Sequence, residues 1–249
     1  VDKLKRLPIQ VIIGNPPYSV GQKSENDRAK NQSYRHLDSR IAKTYVANSI
    51  TTMNKAMYDL YIKAFRWASD KVASNKEGGI IGFISNGSWL DGNTTAGFRK
   101  CLEREFSKIY VLNLRGNQLH GGELSRKEGG KIFGEGSRAT IAITLLVRKP
   151  NQSLDEKAII YYHDIGEYLT RNDKLAKVQK MHSVLDKNIK WTILNPNVHG
   201  DWISIRNENF SILIPLAETK NNKTNQCKVF SLNSNGVVTN RDAWAYNYS

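Results

Sequence analysis

The residues best suited to chemistry lie near the start of the chain, in Val11-Ile12-Ile13-Gly14-Asn15-Pro16-Pro17-Tyr18. Ile9 and Val11 to Ile13 form an apolar run, expected as a buried strand, that stops at Gly14 and is followed by two prolines. A proline has no backbone N–H and a fixed φ, so Pro16-Pro17 closes the strand in a stiff turn. Asn15 and Tyr18 are then held at the strand's C-terminal end, where open α/β sheets bind ligands. The chemistry such a turn suits is alkylation of a planar amino group. An exocyclic amine on a base is a poor nucleophile because its lone pair is delocalised into the ring. The Asn15 side-chain oxygen and the Pro16 carbonyl can each accept one of its N–H bonds. Two acceptors draw the nitrogen towards tetrahedral geometry and stabilise the positive charge that grows as it attacks. Tyr18 can stack on the ring, and no general base of displaced pKa is required. The plain alternative is a Pro-Pro turn after an ordinary core strand.

The rest of the chain supplies elements that could hold this turn. Met57, Tyr58, Tyr61, Ile62, Phe65, Ala68 and Val72 recur at helical spacing, which predicts a helix over 52–74. Thr51, Thr52 or Asn54 could cap its start, and Gly78-Gly79 follows its end. Further on, the pattern predicts a strand over 80–85, a helix over 94–105, and strands over 109–114 and 139–147. Between the last two lies a segment rich in glycine and charge, 115–137, read as a loop. This alternation is the later half of a doubly wound, Rossmann-like α/β sheet. After Pro150 the character changes: a strand over 158–162, a helix over 172–186, and short strands at 191–194, 202–205 and 210–214. We therefore expect a catalytic half-domain over 1–150 and a mixed α/β connector and recognition region over 151–249.

Asn15-Pro16-Pro17-Tyr18 resembles the catalytic signature of amino-methyltransferases that use S-adenosylmethionine. With the long polar insertion Ser19–Lys43, Ile80–Leu90, the Arg115–Arg138 loop and Thr239–Trp244, the chain is similar over most of its length to the later half of adenine-N6 DNA methyltransferases of the gamma arrangement. The large single-chain restriction–modification enzymes of types ISP and IIG are the nearest in pattern. The resemblance implies catalytic roles for Asn15, Pro16, Pro17 and Tyr18, and base stacking by Tyr18. It also implies that Phe133, before the last strand, packs on a flipped base; the alternative is a loop anchor. It further implies an S-adenosylmethionine loop upstream of Val1. The only glycine cluster here, Gly129-Gly130 to Gly134-x-Gly136, follows no strand-turn-helix pattern and is not such a loop. The 249 residues are therefore expected to be a fragment, inactive alone, whose first strand has no earlier strand to pair with on one side and so either self-associates or is poorly ordered there. RNA guanine-N2 methylation, protein-glutamine methylation and a non-catalytic DNA-recognition role remain as alternatives.

Charge points to the same partner. Lys and Arg number 37 against 23 Asp and Glu, a net charge of +14, which favours double-stranded DNA over a membrane surface. Lys23, Arg28, Lys30 and Arg35 in the first long polar segment, and Arg126, Lys127, Lys131 and Arg138 in the second, are the candidate phosphate contacts. The first segment is equally readable as a solvated insertion. Cys101 and Cys227 show no paired spacing, and His163, His182 and His199 no ligand spacing, so no metal is expected. No apolar run reaches 18 residues, and no signal peptide opens the chain, so a cytoplasmic setting is expected.

Overall fold

The apolar runs pair into one six-stranded sheet in the computed structural model, which describes residues 8–17, 33–49, 51, 55–119, 121–133, 138–207, 209, 212–214 and 229–230. Its strands are β1 (Val11–Gly14), β2 (Gly79–Asn86), β3 (Lys108–Asn113), β4 (Ile141–Arg148), β5 (Ile159–Asp164) and β6 (Thr192–Leu194). Their order is β1-β2-β4-β3-β5-β6. β1 lies parallel to β2, β4 is antiparallel to both β2 and β3, β5 is parallel to β3, and β6 is antiparallel to β5. Four strands, β1, β2, β3 and β5, thus run one way and end at one edge. The reversed strand β4 starts there. The sheet does not stop at Pro150, because β5 and β6 extend it. By compactness the chain divides into Val1–Ile205 and Arg206–Ser249, and the sheet belongs wholly to the first unit.

The helices are α1 (Arg35–Ile41), α2 (Leu60–Ala73), α3 (Ala96–Glu105), α4 (Gly122–Glu128) and α5 (Arg171–Lys180). α1 runs on into a π-helical turn, Ala42–Val46, so the polar segment expected as loop to residue 43 ends in helix. Ile41 and Tyr45 are buried, with Leu37 and Val46 packed beside them, an apolar stripe of little more than two turns set among charged residues. The helix expected from 52 begins at 60. A 3₁₀ turn, Lys55–Tyr58, precedes it, and the Asp59 side chain caps it by accepting the Tyr61 N–H at 3.4 Å. α4 lies inside the expected loop 115–137. α5 ends at Lys180, not 186. Trp202 is not in a strand: it is buried, and its indole N–H donates to Glu103 at 2.7 Å. Of the strand expected over 210–214, only 212–214 are described, and they are not extended into a ladder.

One face of the sheet carries the main core. Phe65 of α2 meets Phe83, Trp89 and Phe98 edge-to-face at centroid separations of 5.0, 5.9 and 5.3 Å. Each such pair adds about 0.5–1.5 kcal/mol beyond area burial. Gly97 lets α3 approach the π turn; a Cβ there would lie 2.0 Å from the Tyr45 carbonyl oxygen. Asn48 donates to the Cys101 sulfur at 3.6 Å within the same core. Burial pushes the Cys101 thiol up to about 12. Since the thiolate is the reactive form, Cys101 in a Cys227→Ser variant should stay unlabelled by iodoacetamide at pH 8 until denaturant is added. Labelling of the native protein at the rate of a free thiol would contradict this packing.

Candidate active site

The Asn-Pro-Pro turn stands at the converging strand ends. Gly14 pairs with Phe83 of β2, and the next residue, Asn15, is exposed, Pro16 buried and Pro17 exposed. Burial of Pro16 anchors the turn, and exposure of Asn15 leaves its amide open to a ligand. β1 is the end strand of the sheet; among the described residues only β2 pairs with it. Val11 and Ile13 are 56% and 82% exposed, far more than core-facing strand residues should be. Tyr18, Lys23, Arg28 and Lys30 lie outside the described residues.

At the same sheet edge, between β2 and β5, opens a cavity of about 620 Å³. The Gly87–Gly92 turn forms one wall and Leu124, Lys127 and Glu128 of α4 another. Asn113, Thr140, Tyr162 and Asp164 line it at the strand ends. These four side chains form one hydrogen-bonded line. Thr140 donates to Asn113 Oδ1 at 3.2 Å, Asn113 Nδ2 donates to the Tyr162 oxygen at 2.9 Å, and the Tyr162 hydroxyl donates to Asp164 Oδ2 at 3.3 Å. Burial pushes Tyr162 up to about 12, so it remains a neutral donor near pH 7. Arg115 closes the line: its Nε donates to Asp164 Oδ1 at 2.7 Å, with Glu167 at 3.5 Å and Glu128 at 3.8 Å. Sequence reasoning misses this network. Its only trace there is a polar residue at the end of each strand, and the pairing Asn113↔Asp164 that joins them is tertiary.

The second basic segment does reach this edge, because it connects the end of β3 to the start of β4. Arg126 is exposed and pairs loosely with Glu123 at 3.5 Å. Lys127 lines the cavity with Nζ 3.9 Å from Glu167. Lys131 is half-buried, and Arg138 is exposed with its carbonyl accepting the Gln118 N–H at 2.8 Å. Arg35 is exposed at the start of α1. Phe133 is half-buried against a small apolar cluster that includes Leu112, Leu114 and Ile141. His163 Nδ1 lies 3.0 Å from the Lys190 carbonyl oxygen, and no group of metal-ligating residues exists among the described residues. Nor, among them, is any helix long and apolar enough to cross a membrane.

Methyl transfer of the kind expected needs S-adenosylmethionine, which a glycine-rich backbone turn would cradle. Gly129 and Gly130 do not form one. A Cβ on Gly129 would lie 2.2 Å from the Leu169 carbonyl oxygen, and one on Gly130 2.5 Å from the Arg171 nitrogen. These glycines serve close packing against the chain's own backbone. They leave no room to cradle the donor.

Comparison with known proteins agrees with this architecture. Residues 7–118 match the family described as Eco57I restriction-modification methylase. Three solved structures align over 98% of the chain. A nuclease-deletion mutant of the Type ISP restriction-modification enzyme LlaGI, in complex with a DNA substrate mimic, is 46% identical with a TM-score of 0.83. The ATP-dependent Type ISP enzyme LlaBIII bound to DNA is 37% identical with a TM-score of 0.85. The DrdV–DNA complex is 34% identical with a TM-score of 0.82. The chain spans 22%, 16% and 23% of those three chains. No curated protein matches it.

Proposed function

We propose that this chain, whose residues 7–118 match the Eco57I restriction-modification methylase family, is the base-activating part of a site-specific adenine-N6 DNA methyltransferase in a restriction–modification enzyme. The observation that carries the reading is the exposed Asn15 amide, held at the C-terminal end of β1 by the buried Pro16. In this reading the target adenine is flipped out of the duplex. Asn15 Oδ1 and the Pro16 carbonyl accept its two amino N–H bonds, Pro17 stiffens the turn, and Tyr18 stacks on the ring. Positive charge then grows on a nitrogen already facing two acceptors. S-adenosylmethionine supplies the methyl group. In this reading its binding residues lie in the remainder of a longer enzyme, a reading supported by the minor share of each similar chain that these 249 residues span.

Arg126, Lys127, Lys131 and Arg138, with Lys23, Arg28, Lys30 and Arg35, are the proposed phosphate contacts. Phe133 is proposed to reach the displaced base from its half-buried seat. Residues 1–150 carry catalysis and 151–249 lead to target recognition, and modification of bacterial DNA places the work in the cytoplasm. That relatives of this similarity were solved with DNA or a DNA mimic supports DNA over RNA or a protein glutamine. The deciding experiment supplies labelled S-adenosylmethionine to an enzyme carrying this chain, with duplex DNA, structured RNA and release-factor protein offered in parallel. N6-methyladenine in the DNA digest is the expected product. Label in guanine or glutamine instead would replace this reading.

A further inference from the structure

A buried lysine holds the segment that bears the proposed DNA contacts. Lys174 of α5 is 0% exposed. Its ammonium donates to the Glu128 carbonyl at 2.7 Å and the Gly130 carbonyl at 2.8 Å. Two features make this an expensive place for a cation. It is removed from water, and it sits one residue after the capping box that starts α5, where Thr170 and Asp173 bond reciprocally and the helix dipole disfavours positive charge. What offsets the cost is the end of α4, whose last carbonyls have no helical partner and attract a cation. The rest of the segment is fastened to the same place. Gly130 N–H donates to the Leu169 carbonyl at 2.9 Å, Tyr168 N–H to the Lys127 carbonyl at 3.0 Å, and Arg171 Nε to the Ile132 carbonyl at 2.8 Å. Gly116 N–H and Asn117 N–H both reach Glu128. The backbone from 127 to 132 is thus seated on the β5–α5 connection, with Arg126 left exposed beside it.

We propose that Lys174 is a positioning residue for DNA contact: by capping the end of α4 it fixes the segment carrying Arg126, Lys127 and Lys131 before any DNA arrives. This rests on the DNA reading above. Preorganised cations lose less conformational entropy on binding than cations on a free loop, so affinity should depend on a residue that touches no phosphate.

The test compares an enzyme carrying this chain with its Lys174→Met and Gly130→Ala variants. The second changes no charge but drives a Cβ into the Arg171 backbone, and it keeps the proposal testable if the first does not fold. Lys180→Met, an exposed cation of the same helix, is the control. Amide exchange at Gly116, Gly130 and Tyr168 reads the clamp without DNA. Affinity for a duplex across a salt series reads the contacts. In both variants the three amides should exchange faster, and the log–log salt slope should become shallower by about 0.9 for each phosphate no longer neutralised. Lys180→Met should leave the amides unchanged. Lower melting temperature with an unchanged slope would make Lys174 merely structural and overturn the proposal. Unprotected amides in the unmodified enzyme would overturn the clamp itself. Absence of duplex binding by the unmodified enzyme would remove the DNA reading and the positioning role with it, while protected amides would still show the segment seated.

Discussion

Asn15→Ala, in a methylation-competent enzyme carrying this chain, is expected to lower adenine methylation by about 100- to 1,000-fold, the usual loss when one preorganised hydrogen-bonding group at a transition state is removed. Duplex affinity should change little. The reason lies in where Asn15 sits. Its amide is exposed at the end of β1 while the following proline is buried, so truncating it removes an acceptor without opening the core. Its proposed hydrogen bond strengthens only as the amino nitrogen gains charge, which lowers turnover more than ground-state binding. Single-turnover rates with saturating DNA give the direct measurement. Turnover equal to that of the unmodified enzyme would remove Asn15 from the chemistry, and with it the main support for the proposed function.

The largest expected effect on stability belongs to Arg66. It is 1% exposed and forks onto Glu105 at 2.7 and 2.9 Å, with one Nη also 2.8 Å from Asp70. Its guanidinium lies 5.1 Å from the Tyr45 ring centroid, and Asp70 is held in turn by Arg40 of α1 at 2.6 Å. One side chain therefore joins α1, the π turn, α2 and the end of α3. Arg66→Met leaves a partly buried Glu105 facing no fork, and breaking such a pair typically costs about 3–5 kcal/mol. Adding Glu105→Leu should return much of that loss, since an apolar pair of similar volume can replace a buried ion pair. Urea titrations of the three proteins at pH 7 test it. A loss below about 1 kcal/mol in the single variant would mean the pair adds no more than an exposed one. The network also sets an acid limit. Burial pushes the Asp70 carboxyl up, but its bonds to Arg40 and Arg66 outweigh this and leave it below the usual carboxylate range. Its contribution is thus complete above that range and is lost as pH falls through the lowered value.

The strand run before Asn15-Pro16-Pro17, the strands β2 and β4, and the aromatic stripe of α2 were all legible in the residues alone. Each is a local signal: an apolar period, or a proline that forbids continuation. The same residues carried the resemblance that points to methylation. They could not show α4, because the seven-residue helix Gly122–Glu128 has no buried face and so no period. The end of that helix is capped by Lys174, which lies 46 residues beyond Glu128 and so outside any local pattern. The strand order was equally hidden. Only pairing puts β4 between β2 and β3 and so brings Asn113, Thr140 and Asp164 to one cavity at the sheet edge shared with Asn15. Nor does composition say that Arg66 and Arg99 are core residues. Charge reads as surface until tertiary structure supplies carboxylates and carbonyls to meet it: for Arg99, the Trp89 and Gly200 carbonyls at 2.6 Å each.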